Sequence, residues 1–253
     1  GSRSSDVLHK PRVALMVDRP FSSYTAGQLW FLFDRWTEFG ISRIRSTSLN
    51  RVDLNNYDVL LLPGAGNLNP LLDSSRLEAL KNWVRQGGTL VATESAAAFF
   101  TKNRSGFTDI ELSVSEDDSA EQEGTYARTE DLERISGLQR IPGASFNALL
   151  DTSHPLAYGM PEEVYSLKFG TSAFKPSADY RVVGYYQMDE NTLLASGYAS
   201  QENKSALAGK AFVAHQPMGS GNVVLIQDNT QYRMFWVGPA RIIQNAVMIV
   251  PSY

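Results

Sequence analysis

Short, continuous apolar runs that alternate with helical patterns constrain the fold of this chain most. The runs at residues 13–17, 57–62 and 90–92 lack the polar alternation of half-exposed strands, so each is typical of a strand buried on both faces. Amphipathic patterns at residues 25–39 and 75–86 separate them. This strand–helix alternation predicts an α/β protein with a parallel, doubly wound sheet.

The 253 residues are enough for one large α/β domain, and no linker divides them. We therefore predict a single domain over residues 1–253, with an acidic insertion near residues 105–140. Residues 109–133 contain ten acidic residues and one basic residue. Because such a segment repels itself and cannot be buried unpaired, we predict an exposed, mobile excursion rather than a cation site.

Charge and composition narrow the partners. The net charge is −4, which favours neither nucleic acid nor an anionic membrane as a partner. No apolar run approaches the roughly 18 residues of a membrane span. The sequence contains no cysteine and three histidines, so we expect no metal site within it. Gly1-Ser2 is typical of a remnant of tag removal, so we expect a piece of a longer, periplasmic or secreted protein.

A strand-to-helix corner at residues 93–95 is the candidate site. Ligands of open α/β sheets bind beyond the carboxyl ends of strands, and nucleophiles stand at such corners; the alternative is a plain connection. Parallel strands share one carboxyl edge, so residues that follow the other strands are expected to line the same cleft. The candidate ligand-binding residues are Asp18, Gly64, Gly66, Glu94, Ser95, Asp228 and Asn229. Glu94, Ser95 and Asp228 are also the candidate catalytic residues.

Two histidines invite a catalytic interpretation. His154 precedes Pro155, which places it in extended or turn geometry. It is a candidate general base, but no Ser or Asp partner stands at a telling spacing, and a hydrogen bond to a neighbouring loop backbone is the favoured interpretation. His215 lies in an apolar strand and is interpreted as structural.

Several segments together carry a family resemblance. The chain resembles the class I glutamine amidotransferase-like domain that follows the catalytic domain of certain bacterial zinc carboxypeptidases of the carboxypeptidase A/T type. The resemblance spans almost the whole chain. It rests on the segments KPRVALMVDRPFSSYTAGQLWFLFD, YDVLLLPGAG, LEALKNWVRQGGTLVATESAA, DTSHPLAYGM and LAGKAFVAHQPMGSGNVVLIQDNTQYRMFWVGPARIIQNAVMI.

The resemblance implies a three-layer α/β sandwich with a mostly parallel, flavodoxin-like sheet. The family's nucleophilic Cys position falls on Glu94 or Ser95, and its His position on Asp228 or Asn229. With neither residue type present there, we expect a pseudoenzyme without glutaminase activity. The implied role is a non-catalytic accessory domain for proteolysis. It would pack on an upstream peptidase domain, which holds the zinc, or bind a peptide or cell-wall ligand. The alternative is an independent hydrolase with a Glu94/Ser95 site.

Overall fold

Twelve strands of one sheet run through the protein in a computed structural model that describes residues 9–113 and 140–253. The strands are β1 (Val13–Val17), β2 (Ser42–Arg45), β3 (Val59–Leu62), β4 (Thr89–Thr93), β5 (Leu112–Ser113), β6 (Ala144–Leu150), β7 (Glu163–Lys168), β8 (Ala173–Phe174), β9 (Arg181–Tyr186), β10 (Leu194–Ser196), β11 (Ala211–Met218) and β12 (Gly221–Ile226). The α-helices are α1 (Ser23–Trp30), α2 (Ser74–Arg85), α3 (Glu94–Phe99), α4 (Glu190–Leu193), α5 (Gln201–Leu207) and α6 (Ala240–Met248).

The sheet is mixed. Its main order is β10-β6-β9-β11-β12-β4-β3-β1-β2, with β7 on β6 and β8 between β11 and β5. The strands β2, β1, β3, β4 and β12 pair in parallel. The remaining strands pair antiparallel, beginning at the hairpin of β11 with β12. The predicted buried parallel strands are therefore present, and an antiparallel half extends the sheet beyond them.

The apolar runs form buried strands because the sheet is covered on both faces. Alternate residues point to opposite faces: Leu61 and Val91 belong to one apolar cluster, and Leu60 and Leu90 belong to the other. Helices α1 and α6 contribute to the first cluster, and α2 and α3 to the second. The predicted three-layer α/β sandwich is confirmed.

The predicted helix at residues 25–39 is interrupted. Helix α1 ends at Trp30 and continues as a π-helix, Phe31–Trp36. The Thr37 N–H donates to the Leu32 carbonyl, five residues earlier, at 3.1 Å. This wider turn allows the consecutive residues Leu32 and Phe33 both to be buried.

The predicted acidic excursion at residues 109–133 begins inside the fold. Leu112–Ser113 forms β5, which pairs with β8, and Glu111 lies 3.0 Å from Lys102. These first residues are thus part of the sheet rather than of an exposed loop, because their charges are paired and their backbone is in the ladder. Residues 114–133 lie outside the described residues, and the prediction for them stays a prediction.

Within the described part of the chain, none of the helices combines the length and the apolar character that a membrane span requires.

Candidate functional site

The corner between β4 and α3 has a left-handed residue at its apex. Glu94 has φ 53°, a conformation that non-glycine residues rarely adopt. A strained residue between a strand and a helix is the geometry of a nucleophile elbow, which presents its side chain above the sheet edge. Of the two positions that the sequence left open, Glu94 stands at the elbow. Such strain amounts to roughly 1–3 kcal/mol, and it persists only where the surroundings fix it.

Neutral groups surround the Glu94 carboxylate. Thr25 Oγ1 donates to Oε2 at 2.6 Å, and Asn229 Nδ2 donates to Oε1 at 3.3 Å. Gly64 lies so close that a Cβ there would come within 2.8 Å of Oε2, so a glycine is required at this approach. Burial raises the pKa of Glu94, and the nearby charge of Asp228 acts in the same direction, whereas the hydrogen bonds from Thr25, Asn229 and the Gly64 backbone oppose it.

The Ser95 hydroxyl fastens two loops together. Its Oγ donates to the Ala65 carbonyl at 2.6 Å and accepts from the Ala65 N–H at 2.9 Å. Neither partner can remove a proton. A serine oxygen becomes a strong nucleophile only beside a base, and within the described residues Ser95 has no hydrogen bond to one. The structure gives it a role in holding the turn after β3 against the start of α3.

Asp228, at the end of β12, is the centre of a buried polar network. Lys168 Nζ lies 2.9 Å from Oδ1, and both side chains are 1% exposed. The hydroxyls of Ser166 and Tyr186 each donate to Oδ2 at 2.5 Å, and Lys168 also donates to the Ser172 carbonyl. Burial, with the charge of Asp228, raises the pKa of Tyr186 well above its ordinary value. The Asp228 charge is therefore balanced and its oxygens are occupied.

The elbow and the network open into one cavity of about 300 Å³. Its lining residues are Glu94, Ser95, Ala98, Leu167, Phe169, Ser172, Gln227, Asp228 and Asn229. Gln227 is 9% exposed, and its Oε1 has no hydrogen-bond partner within residues 9–113 and 140–253. Four of the seven predicted ligand-binding residues thus line one cavity, and Gly64 supports it through Glu94. Whether they bind a ligand stays a prediction.

Asp18 and Gly66 do not line this cavity. They line a neighbouring open cleft together with Pro20 and Tyr24, and the exposed Asp18 carboxylate lies 3.5 Å from Arg45. The expectation of one common cleft is wrong for these two residues. The reason is distance: β1 is two strands from β4 in the sheet order, which is about 10 Å across the hydrogen-bonding direction.

Sequence reasoning missed the cation of the network. Lys168 ends β7, where Ser166 and Lys168 are the buried residues and the residues between them are partly exposed. A lysine at a position whose period-2 neighbours face inward is a usable signal, because a buried lysine needs an anionic partner. The contributions of Thr25 and Gln28 from α1 have no such signal, since they depend on how the helix packs.

The two histidines lie at the opposite edge of the sheet. The Leu156 N–H donates to His154 Nδ1 at 3.1 Å, which confirms the backbone interpretation. His154 Nε2 lies 2.9 Å from His215 Nδ1, and His215 Nε2 lies 2.8 Å from Asn222 Oδ1. Asn222 pairs with Thr89, at the amino ends of β12 and β4, so neither ring serves Ser95.

Both histidines are held neutral. Because Leu156 donates to His154 Nδ1, His154 carries its proton on Nε2 and donates to His215, which in turn donates to Asn222. Burial lowers the pKa of His154 to about 4, with further contributions from His215 and Arg181. Burial also lowers the pKa of His215. An added proton would set two donors against each other in this chain.

Across the described ranges, no three His, Asp or Glu side chains are grouped so as to hold a metal ion.

Solved structures share this architecture over nearly the whole chain. A protein described as belonging to GMP synthase, from Thermoplasma acidophilum, is 12% identical over 97% of this chain and 96% of its own, with a TM-score of 0.57. A ThuA-like protein from Parabacteroides merdae is 11% identical over 96% of this chain and 90% of its own, with a TM-score of 0.59. A β-galactosidase from Bacillus circulans is 11% identical, with a TM-score of 0.51, over 95% of this chain but only 32% of its own.

These likenesses establish the fold as that of class I glutamine amidotransferase-like proteins, and they confirm the predicted fold class. At such low identities they show the fold alone. No protein-family model matches the chain, and no curated protein sequence does. None of the three structures is described as a carboxypeptidase.

Proposed function

We propose that this chain is a non-catalytic amidotransferase-like domain that binds a small ligand in the cavity at the elbow. One observation carries the proposal: the elbow holds Glu94, and the sequence contains no cysteine. A glutaminase needs a thiolate and a base that activates it. The positions beside the elbow instead hold the paired Asp228 and the amide of Asn229.

The retained cavity supports binding as the remaining role. Backbone strain at Glu94 persists although no nucleophile profits from it. A volume of about 300 Å³ is at the lower end of the range for ligand pockets. Holding a ligand requires complementarity to its ground state only. A fixed carboxylate beside a small enclosed space meets that requirement without any turnover.

We expect no ammonia release from L-glutamine above a buffer blank, because nucleophile and base are both missing. A coupled ammonia assay checks this. Hydrolysis of p-nitrophenyl acetate tests the alternative, an independent hydrolase with a Glu94/Ser95 site. Ester turnover that disappears in Ser95→Ala but survives in Ser153→Ala, an exposed serine in a β6–β7 loop, would establish the hydrolase and remove the non-catalytic proposal.

The biological setting that we propose is the one the sequence resemblance implies. The domain would serve a larger, periplasmic or secreted bacterial zinc carboxypeptidase, with the zinc and the proteolysis in the upstream peptidase domain. The matched β-galactosidase supports a domain role in general, since there the same fold occupies about a third of a longer chain. The ligand would then be a peptide or a cell-wall fragment.

Expression of the parent protein with and without residues 9–253 tests this setting. We expect loss of the domain to change peptidase activity, thermal stability or substrate affinity, because interdomain contacts of this kind bury roughly 600–1,500 Å². Identical values for all three properties would contradict the accessory role. So would an upstream reading frame without a peptidase domain.

A further inference from the structure

We propose that the ligand of the elbow cavity is a small organic cation whose ammonium or guanidinium group pairs with Glu94. This inference rests on the proposed ligand-binding function and adds the chemical class of the ligand.

The first argument is the charge balance of the cavity. Two carboxylates line it, Glu94 and Asp228. Lys168 neutralises Asp228 at 2.9 Å, whereas Glu94 has no ion pair within the described part of the chain and accepts only from neutral donors. The cavity therefore keeps one uncompensated negative charge. A bound cation would balance it in a partly desolvated site, where charge-assisted hydrogen bonds are strongest.

The second argument is the hydrogen-bonding capacity that remains. Glu94 Oε1 has one long hydrogen bond, 3.3 Å from Asn229 Nδ2, and so can accept another. Gln227 Oε1, in the wall of the same cavity, has no partner among the described residues. A buried acceptor without a donor is unfavourable by roughly 1–3 kcal/mol. A small rotation of this amide would offer it to a ligand N–H, and a cation with several N–H groups can serve both acceptors.

The third argument is the remaining wall of the cavity. Phe169, Leu167 and Ala98 present carbon to the space. An aromatic face attracts a cation beside it, and the aliphatic side chains suit the carbon stem of an alkylammonium. A bare metal ion fits less well, because no group of three metal-ligating side chains exists in residues 9–113 and 140–253.

The raised pKa of Glu94 gives the inference a pH signature. Burial is the main cause of the raised pKa, and a bound cation favours the ionised carboxylate and so lowers that pKa. Binding is therefore expected to release protons and to tighten as the pH rises through the pKa of the free carboxyl group.

NMR titration with n-butylammonium chloride tests the inference, with 1-butanol as the neutral isostere and butyrate as the anion. We expect shifts of the Ser95, Ala98 and Asn229 amides with a Kd of about 1 mM, the range open to so small a ligand. In Glu94→Gln we expect the affinity for butylammonium to fall at least tenfold. Glu162→Gln is the matched control, because this exposed residue precedes the far end of β7.

The outcomes separate the two proposals. Equal binding of butylammonium by wild type and Glu94→Gln would overturn the cation inference, as would equal binding of 1-butanol; either result leaves the cavity a binding site. Shifts confined to residues outside the cavity, or no shifts with any of the three probes, would overturn the cation inference and the binding role together. Loss of butylammonium binding in Glu94→Gln alone, with Glu162→Gln unchanged, supports both.

Discussion

Replacement of Lys168 by methionine is expected to lower the free energy of unfolding by about 3–5 kcal/mol, the largest effect of any single change in the site. The substitution leaves Asp228 charged at a position where its side chain is 1% exposed. Ser166 and Tyr186 would still donate to it, but neutral donors do not replace the lost cation. Urea denaturation, read as a change in midpoint at constant slope, measures the effect.

A double variant shows that the loss is electrostatic. Lys168→Met combined with Asp228→Asn removes both charges and keeps an acceptor for the two hydroxyls, so we expect it to be more stable than Lys168→Met alone. Lys175→Met is the matched control, because Lys175 is 64% exposed and only 3.5 Å from Glu111; it should leave stability nearly unchanged. Strict additivity of the two site substitutions would mean that the ion pair contributes nothing.

Acidification is expected to lower the free energy of unfolding by about 2 kcal/mol between pH 7 and pH 5, through His154 alone. The folded protein holds the pKa of His154 at about 4, against 6.5 without the fold. Between these values the unfolded chain binds a proton that the folded protein refuses, so stability rises with pH across this window. The contribution is fully present above pH 6.5 and is lost as the pH falls toward 4. His215, with its own lowered pKa, adds in the same direction.

Urea unfolding at a series of pH values measures this dependence. In His154→Gln the slope between pH 5 and pH 7 is expected to flatten, and the remainder reports His215. His9→Gln, at an exposed position outside the elements of the fold, is expected to keep the wild-type slope. A His154→Gln profile that parallels wild type would show that the buried ring titrates as it does in water.

The sequence predicted the parallel half of the fold because each of its strands is a local signal. Strands β3 and β4 are buried at every position, and such runs read the same without knowledge of the partners. The elbow was found for the same reason, since Glu94 directly follows β4. Asp228 was found because it follows β12. What these residues share is a position at a strand end, which a linear pattern reveals.

The rest depends on contacts between distant parts of the chain. Asp228 is bound by Lys168 and Tyr186, which lie 60 and 42 residues away. No local pattern tells that these groups meet. The expectation for Asp18 and Gly66 failed on the same ground, because the order of strands across the sheet decides which strand ends are neighbours. The backbone conformation at Glu94 likewise appears only when the corner is built.

The place of β12 in the sheet has a consequence for the synthesis of this protein. β12 is the last strand of the chain, yet it lies between β4 and β11. On the ribosome, β4 therefore keeps an open edge until residues 221–226 have emerged, and such edges are templates for aggregation. The pairing of β12 with β4 joins Asn222 to Thr89, a separation along the chain that slows folding. A nascent chain that stops before Gly221 lacks the joint between the two halves, so quality control must tolerate an unfinished sheet until the end of translation.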